Sequence, residues 1–100
     1  METITTCDLY EGSYYLLNGC EIEAIEGLRI DGEVTCRLTV IGTELPRLQR
    51  TYLEGRAEAN LFAFRRAYGQ LFALVQRTKK KFRNQLKQHR HLPSDEGTAV

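Results

Sequence analysis

The sequence has no tryptophan, only two prolines and two histidines, and no apolar run near the ~20 residues that a membrane-spanning helix requires. A helical membrane protein is thereby excluded. Catalytic signatures are missing as well: there is no G-x-S-x-G elbow, no G-x-x-x-x-G-K-[ST] phosphate loop and no H-E-x-x-H zinc helix. Both histidines, His89 and His91, lie at the end of a basic stretch. Two residues apart on a helix, they point ~200° away from each other, a poor arrangement for shared metal ligation. Cys7, Cys20 and Cys36 are odd in number and widely spaced, so they make neither a disulfide framework nor a C-x-x-C zinc site. They read as small buried hydrophobes. Glu21, Glu23 and Glu26 cluster without any cleft signature and read as a solvated strand face. No catalytic residue, metal ligand, cofactor or small-molecule substrate is predicted, and the chain is expected not to be an enzyme. The opening Met1-Glu2-Thr3-Ile4-Thr5 lacks a basic region and an apolar signal core, which predicts a cytoplasmic protein.

What is present is ordinary globular composition, 42% hydrophobic and 27% charged over 100 residues, enough for one domain. The net charge of +1 conceals a sharp division. Residues 1–58 hold eleven acids against five arginines, whereas 59–92 hold nine basic residues and no acid. Such asymmetry speaks to partners rather than to fold.

Periodicity supplies the elements. A first helix is predicted from about Thr6, capped by Thr5 or Thr6 with Asp8 in its first turn, and stopped by Asn18-Gly19. Leu9, Ser13, Leu16, Leu17 and Cys20 share its inner face, which leaves Tyr14 and Tyr15 outward. Gly12 and Ser13 are small enough for close approach. Two strands follow, joined at Asp31-Gly32, a strong type I′ hairpin signal. Val34, Cys36, Leu38 and Val40 alternate with Thr35, Arg37, Thr39 and Ile41, so one sheet face is buried and one is wet. Gly27 is the expected bulge, and Ile4 with its threonine neighbours is a candidate third strand. A short second helix is predicted after an N-cap at Thr43, ending at Gly55.

The third helix is the longest element, starting between Ala57 and Asn60 and reaching about Arg90. Leu61, Phe64, Tyr68, Leu71, Val75, Thr78 and Phe82 form its heptad-like seam, widened by Phe72 and Leu86. A helix of about 30 residues is ~45 Å long, while a compact domain of this size has a radius of gyration of only ~13 Å. The helix is therefore expected to overhang, leaving Phe82 and Leu86 uncovered. A homodimer is the expected answer, with Tyr68, Val75, Phe82 and Leu86 as its self-association residues. Along the same segment Arg77, Lys79, Lys80, Lys81, Arg83, Lys87 and Arg90 are the candidate polyanion-binding residues, suited to nucleic acid or to an acidic protein surface. A solvated helix end, its cations complementing the helix dipole, accounts for them equally well. No recognition-helix turn, RNA-binding strand motif or zinc finger narrows the choice.

The opening Thr5-Thr6-Cys7-Asp8-Leu9-Tyr10, the stop Leu16-Leu17-Asn18-Gly19-Cys20, the hairpin with Val34 to Val40 and the segment Leu53-Glu54-Gly55-Arg56-Ala57 resemble a family of small uncharacterised bacterial proteins with a Thr/Ser-x-Asp-Leu-Tyr helix start. The resemblance spans about residues 3 to 78. It implies the order of elements and no activity.

The sequence thus predicts an α+β domain of order α-β-β-α-α over residues 1–92, with the first and third helices on one face of a small antiparallel sheet. Residues 77–92 form a basic helical extension, and 93–100 a disordered tail. The predicted core comprises Leu9, Leu16, Ile22, Val34, Cys36, Leu38, Val40, Leu48, Leu61, Phe64, Tyr68, Leu71 and Val75. The expected function is a non-enzymatic, self-associating module whose basic helix contacts nucleic acid or another polyanion. The alternative is a protein-binding adaptor using the hairpin edge with Tyr14 and Tyr15.

Overall fold

The alternating β-branched and apolar residues at the start and in the middle of the acidic half assemble into a three-stranded antiparallel sheet. In the computed structural model, which describes residues 1–98 with side chains through Lys87, the order is β1 (Glu2–Thr6), α1 (Leu9–Leu17), β2 (Glu21–Ile30), β3 (Glu33–Gly42), α2 (Leu45–Leu53) and α3 (Leu61–Thr98). The α+β class and the long final helix are those the sequence predicts. Ile4 and its threonines do form a strand, which changes the order by placing β1 in front of the first helix. Strand order is β1-β3-β2, with Ile4 and Ile22 both facing Val40 across the central strand. Cys36, Leu38 and Val40 are buried on the inner face, where α1 and α3 pack. Arg37 and Glu26 pair on the outer face at 2.6 Å.

Asp31 and Gly32 both take positive φ, 51° and 82°, as a type I′ turn demands. The bulge lies at Glu23, where the register shifts between Ile22 and Ala24, and not at Gly27. Gly27 serves packing instead. A Cβ there would stand 2.6 Å from Cγ of Phe82, so the missing side chain is what lets α3 lie on β2. Gly12 performs the same service for α1, since its Cβ would meet Leu38 Cδ1 at 2.7 Å.

The cap of α1 is Asp8, not Thr5 or Thr6. Its Oδ1 accepts from the backbone N–H of Tyr10 at 2.9 Å and of Glu11 at 3.3 Å. Thr6, the last residue of β1, accepts from the N–H of Asp8 through Oγ1 and so sets the strand-to-helix turn. Tyr14 and Tyr15 are buried, against the expectation that they face outward. The reason is that α1 has neighbours on several sides: the sheet, α3 and α2. Tyr14 meets Tyr52 of α2 with ring centroids 5.9 Å apart. Cys7 is exposed, whereas Cys20 and Cys36 are buried as expected.

Glu44 occupies the cap position of α2 in place of Thr43, without a side-chain cap bond. Leu45 and Leu48 bury the inner face of α2. On α3, Asn60 Oδ1 accepts from the N–H of Ala63, the usual N-cap bond. Ala67, Leu71 and Val75 are buried, with Phe64 and Tyr68 at the rim. Leu61, expected in the core, is 74% exposed because the first turn of α3 precedes its contact with α1.

The particle is elongated, 57 × 25 × 23 Å with a radius of gyration of 17.2 Å. The premise that nothing within the domain shelters Phe82 does not hold. The hairpin strands, ten residues each, run ~33 Å, far enough to bring Gly27 beneath Phe82. Both Phe82 and Leu86 are half-buried. The expectations for the tail at 93–100 and for Arg90 fall outside the residues whose side chains are described. Among the described residues no helix is long and apolar enough to cross a membrane.

Candidate functional site

Because the hairpin extends as far as the basic half of α3, its tip and that helix enclose an open cleft of about 400 Å³. The hairpin supplies Arg29, Gly32 and Val34, and α3 supplies Lys80, Arg83 and Lys87, with Leu86 adding apolar wall beside Val34. Four cations thus line one concavity, and among the described residues no carboxylate does. The ion pairs among the described residues lie elsewhere: Arg37 with Glu26, Arg47 with Glu44 and Arg56 with Glu54. The positive field reaches the sheet. Burial pushes the Cys36 thiol above its ordinary pKa, while Lys79 and Arg83 pull in the opposite direction.

The predicted basic residues separate on folding. Lys80, Arg83 and Lys87 face the cleft and Lys79 is half-buried beside it. Arg77 and Lys81 line a second, shallower depression of about 320 Å³ with Leu74 and Thr78. Of the residues expected to self-associate, Val75 is buried in this chain's own core, Phe82 covers Gly27, Leu86 lines the cleft and Tyr68 stacks between Tyr10 and Phe72. Arg29 was not among the sequence candidates, since it belongs to the acidic half. Its signal lay in the strand register: it pairs with Val34, and so projects to the inner, helix-bearing side.

A second polar group gathers where β1 meets α1. Glu11, buried, accepts from Tyr15 Oη at 2.5 Å through Oε2 and from Thr6 Oγ1 at 2.8 Å through Oε1. Asp8 Oδ2 accepts from Tyr52 Oη at 2.9 Å. Burial, reinforced by the hydrogen bond to Glu11, raises the Tyr15 phenol far above its ordinary pKa. Burial and the bond to Asp8 push Tyr52 up to about 12. Among the described residues no buried side-chain polar atom lacks a partner. With every buried polar atom in it paired, this network locks β1, α1 and α2 together. Among the described residues no group of three or more His, Cys, Asp or Glu side chains could hold a metal ion.

Comparison with family models, curated proteins and solved structures finds no match to this chain.

Proposed function

We propose that this chain is a non-enzymatic polyanion-binding module and that nucleic acid is its ligand, held at the cleft between the hairpin tip and α3. The observation that carries this reading is the convergence of Arg29, from an acidic part of the sequence, with Lys80, Arg83 and Lys87 in a concavity that no carboxylate lines among the described residues. A solvated helix end needs no cation from another element. Phosphate groups brought to such a site release counterions, so affinity falls steeply as salt rises.

Fluorescence anisotropy of a labelled oligonucleotide, titrated at several salt concentrations from about 50 mM upward, tests it. Wild type binds with a negative slope of log affinity against log salt. Changing Lys79, Lys80, Lys81 and Arg83 together to Gln abolishes that binding, and Arg29→Gln alone reduces the slope by about one. Absence of wild-type binding at the lowest salt refutes the proposal. The resemblance to small bacterial proteins belongs to the same proposal and adds no activity to it.

Self-association is the second reading. Leu61 and Phe62 stand 74% and 68% exposed at the start of α3, and β2 leaves one edge of the sheet unpaired. Sedimentation at micromolar concentration decides it, and a monomer at all concentrations removes it.

A further inference from the structure

An array of four aromatic rings lies where α1 crosses α3. Tyr10 stacks against Phe64 at 6.3 Å and against Tyr68 at 5.2 Å, with planes inclined by 16° and 17°. Tyr68 in turn stacks with Phe72 at 6.0 Å and 20°. The rings are close to parallel, yet the array is not buried: Tyr10 is 58% exposed and Phe72 42%. Among the described residues the two outer rings stay open to solvent, and Gly69, one turn before Phe72, has no atom within 4 Å of where its Cβ would be. Glycine in a helix interior is destabilising, and no packing contact here calls for one. Its effect is to leave clear the surface over which Phe72 leans.

The same flank of α3 carries charge. At 100° per residue, Phe72, Lys79 and Arg83 fall within ~40° of one another around the helix, and Arg65 lies on the same flank before the rings. The order along the surface is cation, aromatic array, cation, with Lys79 ~10 Å beyond Phe72 and Arg83 ~6 Å beyond that. The strip runs into the cleft that holds Arg83, Lys87 and Arg29.

Resting on the polyanion reading above, we infer that the ligand is single-stranded nucleic acid, its phosphates on Lys79, Arg83, Lys87 and Arg29 and its bases stacked from Phe72, the end ring of the array. Open planar rings beside a cationic track are what a strand with unpaired bases requires. A duplex keeps its base faces inside its own stack and leaves the rings nothing to meet. An acidic peptide matches the charges but offers few planar faces. A second copy of this chain pairing through the same flank brings only like charges together, because residues 59–92 contain no acid. From Phe72 to Lys87 the strip is ~22 Å long, room for about six stacked nucleotides at ~3.4 Å each.

The test compares three labelled probes of equal charge by anisotropy with the full-length chain: a single strand, the same strand made abasic, and a hairpin duplex. RNA and DNA versions of the single strand distinguish the two sources of that chemistry. Wild type favours the base-bearing strand over the abasic one by about fivefold or more, the lower bound for stacking one base on an aromatic ring. Phe72→Leu keeps apolar bulk and fold but removes the planar face. It brings that ratio close to one while leaving abasic affinity unchanged. Binding also quenches tyrosine fluorescence, which is readable because the chain has no tryptophan. Equal wild-type affinity for base-bearing and abasic strands overturns the stacking inference and leaves the cationic cleft standing. Failure to bind any probe overturns both. A dimer that Phe72→Leu dissociates assigns the rings to a second copy and overturns the inference as well.

Discussion

At one end of the molecule the sheet, α1, α2 and α3 converge on Leu38, Leu45, Leu48 and Leu71, none more than 2% exposed. At the other end the hairpin and α3 meet, with Phe82 over Gly27 and with Val34 and Leu86 both lining the cleft. The first end is closed on several sides and satisfies its buried polar groups internally. The second is open, half-buried and lined with cations. The difference teaches that one long hairpin joins a closed, well-packed end to an open, cationic one.

The sharpest way to break this comparison is to injure each end separately. Leu38→Ala empties a site with no exposed surface at the centre of β3 and is expected to lower global stability by about 2–5 kcal/mol. Urea denaturation followed by circular dichroism reads it. Gly27→Val forces Phe82 off the strand, because Cβ, Cγ and Cδ1 of that ring all lie within 3 Å of the added carbon. The expected loss is about 1.5–3 kcal/mol, the worth of burying one large apolar side chain, and it is confined to the distal end. Hydrogen exchange should show faster amides at 80–87 while 67–75 keep their protection. Equal acceleration in both stretches means that the two ends form one cooperative unit.

Much of the fold was legible from local pattern. Val34 to Val40 alternate, Asp31-Gly32 specify the turn, and Leu71 and Val75 lie on the seam, each signal carried within a few residues. The burial of Tyr14 is not legible locally, because it depends on where α2 docks Tyr52, far along the chain. Phe82 was misjudged for the same reason. Gly27 reads locally as a bulge, and only the tertiary pairing of β2 with α3 gives it a different role. The candidate site was half legible: the helix cations were plain in the sequence, but Arg29 and Tyr10 join them only through strand register and helix crossing.

A smaller effect concerns pH at the closed end. Tyr52 is neutral when bonded to Asp8, and its pKa is raised to about 12 by burial and by that bond. The unfolded phenol titrates near ~10. The folded state therefore holds the proton more tightly. The resulting stabilisation is fully present below pH ~10 and is lost as pH rises through about 12. Tyr52→Phe is expected to lower stability at neutral pH by about 0.5–1.5 kcal/mol and to flatten the decline at high pH relative to wild type. Thermal melts of both proteins from neutral to strongly alkaline pH decide it. A parallel decline in the variant removes Tyr52 as its source.

The smallest expected effect bears on which end the rings serve. Gly69 lies in the interior of α3, and a Cβ added there meets nothing within 4 Å. Gly69→Ala should therefore raise stability by about 0.5–1 kcal/mol through helix propensity alone, read as a higher midpoint in urea. If glycine is kept there for packing, the substitution destabilises instead, and the rings belong with the closed end. If stability rises, the fold does not require the glycine, and the space beside Phe72 is left free at some expense to the helix. That places the aromatic array with the open, cationic end, although it sits beside the closed one.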